Sequence, residues 1–237
     1  MKQAQVDHLV VVAASLDQGV AWCEETLGIT PGPGGEHPLM GTHNRLFSVA
    51  SPAFPRAYFE IIAIQPGVTP RRADGTQRWF DMDDRELQAL LTREGPQLVH
   101  FVASVPGVLT AVKALAALGL DRGSVLAASR QTATALLQWR ITVRDDGQRL
   151  FYGGLPTLIQ WGEAGEDPAR AAHPLDAMPA SGVTLQALQV RHPRPDTLQA
   201  AHAAIGLAGV GVSQGAPNLL ATLQTPRGLV MLESKGV

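Results

Sequence analysis

One short unit of sequence occurs three times in this chain of 237 residues. In each copy, an apolar strand with one polar residue leads into an amphipathic helix, and the helix ends at a glycine between two apolar residues. The polar residue and the glycine are 20, 19 and 20 residues apart. These pairs are His8 and Gly28, His100 and Gly119, and Gln186 and Gly206. Repeats of this length pack against one another, so they constrain the fold more than any single motif does.

Each copy closes with a further strand that carries one polar residue, namely Glu60, Gln160 or Glu233. Apolar and polar residues alternate in these segments, which is typical of strands, and Ser15 is a plausible cap for the first helix. The element order in each copy is strand, helix and three strands. We therefore predict an α+β fold of repeated βαβββ modules, with two modules paired around a cleft and a diverged third module.

Composition places the module boundaries. Stretches rich in Pro, Gly, Ala and charge separate the periodic segments, as is typical of loops and linkers. The predicted units are module 1 (1–65), an insertion with a helix near 83–93 (66–96), module 2 (97–162), a linker (163–182) and the third module (183–237). Within module 2, strands are predicted near 124–129, 135–143 and 157–161.

The overall composition excludes several classes of protein. The net charge is −2 and no basic stripe is visible, so we expect no nucleic-acid partner. No run of about 18 apolar residues predicts a membrane span, and the first residues lack the pattern of a signal peptide. Cys23 is the only cysteine, which excludes an intrachain disulfide and suits the cytoplasm. Cys23 itself is interpreted as a core residue on the first helix. We expect a cytoplasmic protein whose partner is a small molecule.

The repeated polar positions suggest a metal site. His8 and His100 stand at equivalent places, and so do Glu60 and Gln160. A carboxylate on a buried strand costs several kcal/mol unless it is paired or bound to a metal. Two histidines and a carboxylate suit a divalent first-row metal, including the Fe(II) of non-haem oxygenases, and leave open positions for a substrate. The alternatives are that the histidines are buried and hydrogen-bonded, and that Glu60 faces solvent.

Four stretches carry a resemblance to a known family: 6–10, 41–46, 58–62 and 158–162. Together with the βαβββ repeat, they resemble the vicinal oxygen chelate superfamily, and most of all its glyoxalase-like branch. The resemblance implies that two modules curl around a cleft in which a divalent ion (Zn, Ni, Mn, Co or Fe(II)) is bound. The implied ligands are His8 and Glu60 from module 1 with His100 and Gln160 from module 2. Some members of the superfamily bind no metal and sequester drugs.

The sequence departs from the family pattern at two places. Gln160 stands where many members have Glu, which removes a negative charge and a candidate general base. Glu60 is then the only carboxylate of the implied site, and we assign it the catalytic role. In the third module, Gln186 stands in place of His, so we expect that module to pack against the other two or against a second subunit. A homodimer is therefore plausible.

Substrate-binding candidates lie on the inner strands of both modules: Asn44, Arg45, Trp139 and Arg140. An arginine facing the cleft would hold a carboxylate or phosphate through two hydrogen bonds. Because strand residues alternate between faces, Trp139 and Arg140 should not both line the cleft. The alternative is that the arginines end in solvent and Trp139 fills the core. His43 and His173 lie beside loops, and the sequence indicates no partner for either.

These observations predict a metal-dependent enzyme of the lyase or isomerase type that acts on a small substrate with adjacent oxygens. The metal would stabilise negative charge that develops on a substrate oxygen. An Fe(II) dioxygenase that cleaves a catechol ring is an alternative with the same ligands. A metal-free protein that binds a small molecule is an alternative of a different class, and Gln160 favours it.

Overall fold

The computed structural model describes residues 3–132, 134–163 and 170–237. Within these residues the chain forms twelve strands and four α-helices. Module 1 contains β1 (Gln5–Val12), α1 (Leu16–Leu27), β2 (Glu36–His37), β3 (Thr42–Ser48) and β4 (Tyr58–Ile64). The insertion contains a short 3-10 helix (Trp79–Asp81) and α2 (Arg85–Glu94). Module 2 contains β5 (Gln97–Ser104), α3 (Val108–Ala116), β6 (Ser124–Gln131), β7 (Leu136–Val143) and β8 (Thr157–Trp161).

The third unit follows the linker region and contains five elements. They are β9 (Thr184–His192), α4 (Pro195–Ala204), β10 (Val210–Gln214), β11 (Asn218–Thr225) and β12 (Gly228–Glu233). None of the helices in the described ranges is long and apolar enough to span a membrane.

Local sequence explains where the first helix begins and ends. The Ser15 hydroxyl accepts a hydrogen bond from the backbone N–H of Gln18 at 3.1 Å, which satisfies one free donor of the first turn. Gly28 ends the helix at a φ of 76°, in the left-handed region that favours glycine. The cap predicted from the sequence is therefore present.

The first two modules share one eight-stranded sheet with the order β2-β3-β4-β1-β5-β8-β7-β6. The first strands of the two modules, β1 and β5, pair antiparallel at its centre. In each module, the first strand also pairs parallel with the last one, β1 with β4 and β5 with β8. The two modules thus repeat one topology on either side of a central seam, and the predicted fold class of paired βαβββ modules is confirmed.

The two faces of this sheet bury separate apolar cores. Val10, Ile62 and Trp161 belong to the core on the face that carries the cleft. Leu9 and Ile61, one residue away on the same strands, belong to the core on the face that carries the helices. This is the two-residue period of a strand, and it decides which polar residues can reach the cleft.

The third unit has the predicted element order but a different sheet. Its strands lie in the order β10-β9-β11-β12, so the first strand is internal and pairs with the second and third strands. Leu188 and Leu219 of this sheet join the core that also holds Leu115 of α3. The third unit therefore covers the helix face of the large sheet, on the side away from the cleft.

Candidate functional site

A small cavity lies on the cleft face of the large sheet, between module 1 and module 2. Its volume is about 40 Å³, which is room for about three water-sized groups. The residues that line it include His8, Glu60, Trp79, Arg130, Trp139 and Trp161. It adjoins a larger outer cleft of about 1050 Å³, and Leu46, Arg130, Leu137 and Pro174 line both.

Asp7 accepts three N–H donors in the core beside this cavity. The donors are His8 Nδ1 at 2.8 Å, Trp161 Nε1 at 2.8 Å and His173 Nε2 at 3.4 Å. The backbone N–H of Leu175 donates to Nδ1 of His173 at 3.2 Å, so the ring proton of His173 is on Nε2 and points to Asp7. Asp7 is 1% exposed, and these three donors satisfy both of its oxygens.

This environment keeps the Asp7 carboxylate ionised. Burial alone would raise its pKa, but the hydrogen bonds from His173 and His8 outweigh it and hold the pKa well below its usual range. An ionised carboxylate can only accept, so His8 must donate from Nδ1. In the neutral imidazole, Nε2 then carries the lone pair.

The free nitrogen of His8 lies beside a second carboxylate. His8 Nε2 is 3.5 Å from Glu60 Oε2. The other oxygen of Glu60 accepts a hydrogen bond from Asn44 Nδ2 at 2.6 Å, and Asn44 Oδ1 accepts one from the backbone N–H of Gly35 at 2.7 Å. The ring of Tyr58 stacks on the imidazole at 4.5 Å. Both basic atoms are therefore held in place by buried neighbours.

The glycine-rich loop before β3 has a conformation that allows the hydrogen bond from Gly35 to Asn44. A Cβ at Gly34 would overlap the backbone oxygen and the side-chain oxygen of Asn44. Only glycine lets the loop approach Asn44 closely enough for the hydrogen bond from Gly35. The composition of this loop thus supports the orientation of Glu60.

His100 is not brought to this pair. Its Nδ1 donates to the backbone oxygen of Gly153 at 3.1 Å, and its Nε2 accepts the backbone N–H of Thr157 at 3.0 Å. Burial, with a smaller contribution from the Arg122 charge, holds the pKa of His100 well below its usual range. His100 is therefore neutral and both of its nitrogens are engaged by the backbone.

Gln160 is also engaged elsewhere. Its side-chain oxygen accepts the backbone N–H of Val108 at 2.9 Å, at the first residue of α3, where the N-cap Gly107 has no side chain to do so. Ile159 and Trp161 on either side of it line the cavity. Gln160 thus lies on the helix face of β8, one position out of register with the cleft.

The residues present do not fit the divalent ion that the resemblance implies. A catalytic ion of this kind takes about three protein ligands. Residues 3–132, 134–163 and 170–237 contain no group of three or more His, Cys, Asp or Glu side chains arranged to hold a metal. Of the four implied ligands, His8 and Glu60 alone present donor atoms to one another.

Two of the four predicted substrate-binding residues line the cavity. Asn44 and Trp139 do so, whereas Arg45 and Arg140 do not. Arg45 is exposed on β3, next to the buried Asn44. Arg140 is the neighbour of Trp139 on β7, and the two point to opposite faces, as strand alternation predicts.

The arginine that reaches the cavity is Arg130, which the sequence analysis missed. Its Nε and Nη1 are buried and have no hydrogen-bond partner in the described part of the chain. The predicted strand near 124–129 stops one residue short of it, whereas β6 continues to Gln131. The longer alternation in that strand was the available signal. Asp7 and His173 were missed as well, because only the tertiary fold brings them together.

The match to a protein-family model covers residues 6–206 and is described as a glyoxalase-like domain. That is well over half of the chain. The chain belongs to the glyoxalase-like domain family. No curated protein sequence matches it at a significant level.

Several solved structures are similar to parts or most of this chain. A hypothetical protein from Staphylococcus aureus is similar with a TM-score of 0.58 and 11% identity, over 97% of this chain and 85% of that one. A variant of Streptomyces coelicolor methylmalonyl-CoA epimerase gives a TM-score of 0.39 and 14% identity, over 70% of this chain and 99% of that one. The methylmalonyl-CoA epimerase of Mycobacterium tuberculosis gives 0.36 and 17%, over 67% and 87%. The first of these similarities supports the fold.

The cavity of this glyoxalase-like protein is lined by two chemically different sets of groups. His8 Nε2 and Glu60 Oε2 are basic atoms that can accept a proton. Arg130 and Trp79 carry N–H donors, and the indole N–H of Trp79 is likewise buried and without a hydrogen-bond partner in the described residues. An arrangement of this kind can remove a proton from a bound molecule and stabilise the negative charge that results.

Proposed function

We propose that this protein is an enzyme of the isomerase or lyase type, which removes a proton from a carbon next to a carbonyl group of a small substrate. The observation that supports this most is the contact of His8 with two carboxylates. Asp7 holds Nδ1, and Nε2 is directed at the cavity beside Glu60. A base that is oriented by a buried carboxylate is a recurring catalytic arrangement.

In the proposed reaction, His8 Nε2 accepts the proton from the substrate carbon. The electron pair of the C–H bond forms a carbon–carbon double bond, and the π pair of the carbonyl group moves to its oxygen, which gives an enolate. Asp7 stabilises the imidazolium that results, because its ionised carboxylate accepts the hydrogen bond from Nδ1–H. The N–H donors of Arg130 and Trp79 would stabilise the enolate oxygen. Trp139 and Trp161 line the cavity with apolar ring surface, which a bound substrate would cover.

Glu60 carries the proton onward or returns it. Its Oε2 is 3.5 Å from His8 Nε2, so both basic atoms lie on the same side of the cavity. The proton therefore leaves and returns on one face of the substrate, either at the same carbon or at its neighbour. Elimination of a leaving group from the enolate would be the lyase form of the same chemistry.

The sequence also predicts a metal-dependent form of this reaction, and the affinity of the site for a divalent ion decides whether that form occurs. His8 and Glu60 would contribute two ligands to Zn, Ni, Mn, Co or Fe(II), and the chain adds no third carboxylate or imidazole in the described residues. The steps above therefore use the side chains of the chain alone. Elemental analysis of protein purified without chelators, compared with His8→Ala, measures whether a divalent ion is bound. The Fe(II) dioxygenase would need the same third ligand.

A metal-free binding protein is the second candidate, and the outer cleft supports it. A volume of about 1050 Å³ is large enough for a drug-sized ligand. The two candidates differ in the role of His8. Catalysis requires the lone pair on His8 Nε2, whereas binding requires only the shape of the His8 side chain.

We keep the homodimer and the cytoplasmic location as predictions, and light scattering tests the homodimer.

Deuterium exchange tests the proposed function without knowledge of the natural substrate. Wild-type protein is incubated in D₂O with a panel of small 2-oxo and 2-hydroxy carbonyl compounds, and loss of the C–H signal is followed by proton NMR. We expect catalysed exchange for at least one compound, which His8→Gln abolishes and His43→Gln, outside the cavity, retains. If no compound exchanges, while ligands bind wild type and His8→Gln equally, the protein is a binding protein and the proposal is wrong.

A further inference from the structure

We propose that Arg130 binds a carboxylate of the substrate, and that the substrate is a small carboxylic acid with an apolar extension. The basis is a cation without a partner at the junction of two cavities. Arg130 lines both the inner cavity and the outer cleft, and its buried Nε and Nη1 have no hydrogen-bond partner in the described residues. The position of the reacting carbon rests on the proposed function, but the binding of the anion does not.

Among residues 3–132, 134–163 and 170–237, no acidic side chain forms an ion pair with this guanidinium. Arg130 takes part in none of the ion pairs found in the described residues. A buried N–H donor that lacks an acceptor lowers the stability of the fold, and more so when it is charged. A bound carboxylate would provide acceptor oxygens for the N–H groups of this guanidinium and a charge opposite to its own.

His37, a neighbour of Arg130, does not provide a second positive charge for the anion. Burial and the Arg130 charge lower the pKa of His37, which also lines the inner cavity, to about 3. His37 is therefore neutral at physiological pH and does not compete for the anion. Trp79 also lines the inner cavity, and its indole N–H has no hydrogen-bond partner in the described residues.

The two cavity volumes indicate the size of the ligand. The inner cavity of about 40 Å³ accepts about three water-sized groups, enough for the reacting carbon and one substituent. With the carboxylate at Arg130, the remainder of the molecule extends into the outer cleft. Ile29, Phe47 and Leu137 give that cleft apolar surface, beside polar residues such as Thr30 and Glu36. The inferred substrate is therefore a monocarboxylate with an aliphatic or aromatic tail.

Paired probes test this inference by binding alone. Hexanoate and hexanamide have the same tail and differ in charge, and isothermal titration calorimetry measures the affinity of each. We expect Arg130→Gln to weaken hexanoate binding by about tenfold or more, as for the loss of a charge-assisted hydrogen bond. We expect Arg130→Lys to weaken it less, and Arg140→Gln, outside the cavity, to leave it within about twofold. Hexanamide should bind weakly and equally to all four proteins.

Each outcome has one meaning. Equal affinity for hexanoate and hexanamide, no binding of hexanoate, or unchanged binding to a folded Arg130→Gln overturns the inference. Circular dichroism confirms the fold of that variant, and Arg130→Lys provides a second variant if the first does not fold. His8→Gln separates the two proposals. If it keeps hexanoate binding while wild type catalyses no exchange, the proposed function fails and the anion site stands.

Discussion

Replacement of Asp7 by asparagine tests the core of the site. Asp7 accepts N–H groups from His8, Trp161 and His173. Hydrogen bonds to a charged acceptor contribute about 1 kcal/mol more than neutral ones, so we expect Asp7→Asn to lower the free energy of unfolding by about 3 kcal/mol at pH 7. For a chain of this size, that corresponds to a fall of roughly 6–12 °C in Tm.

The same substitution should reverse the tautomer of His8. If the asparagine oxygen faces Trp161 and His173, its amide group donates to His8 Nδ1. The ring proton then moves to Nε2, where it points at Glu60 and removes the lone pair from the cavity. We expect proton exchange to fall by about 10³-fold or more, as for other bases that lose their orienting carboxylate.

The pH dependence checks that the effect comes from the charge. The folded pKa of Asp7 lies below its unfolded value of about 3.9. Its stabilisation is therefore complete above about pH 4 and is lost as the pH falls through the folded pKa. Urea unfolding should show a constant gap between wild type and Asp7→Asn from pH 5 to 8, which narrows below pH 4. Asp74→Asn, on an exposed loop, is the control. A loss below about 0.5 kcal/mol, or a gap that widens in acid, would refute the reasoning.

Three further predictions concern buried groups. His37 has a pKa of about 3 and the pKa of His100 is also lowered, so the unfolded chain binds more protons than the folded chain below pH 6.5. The free energy of unfolding of wild type should therefore decrease as the pH falls below 6.5, by up to about 1.4 kcal/mol per pH unit for each ring. Equal urea midpoints at pH 7 and 5 would contradict this. Gln160→Ala should lower the free energy of unfolding by about 1 kcal/mol, because it removes the hydrogen bond to the first turn of α3. Gln160→Glu should leave the metal content measured by elemental analysis unchanged, because the side chain at this position faces α3. Burial raises the pKa of Cys23 to about 12, so a thiol reagent should label it only on unfolding, and rapid labelling of native protein would count against the structure.

The pairing of two βαβββ modules could be predicted because it is written in local patterns. Periodicity, the Ser15 cap and the Gly28 stop indicate where elements begin and end, and the repeat indicates that the elements form similar units. The candidate site could be predicted only in part. His8, Glu60 and Asn44 lie on strands whose alternation directs them to the cleft.

Strand register and sheet order could not be read from the same patterns. Gln160 was placed at the cleft by its position in the repeat, but β8 directs Ile159 and Trp161 there and Gln160 to α3. A shift of one residue exchanges the faces of a strand, and the hydrophobic sequence on both sides of Gln160 does not reveal it. The third unit likewise has the predicted elements and a different strand order.

The sequence by itself determined the repeated modules and their helices and strands, because these depend on interactions between near neighbours in the chain. It also indicated the family, because the repeat and four short stretches of sequence carry the resemblance. The tertiary structure decided which polar groups meet. Asp7 and His173 are 166 residues apart, and Arg130 comes to the cavity from the other module. Contacts of this kind depend on how two sheet halves and a returning segment pack together, and local periodicity carries no record of that packing.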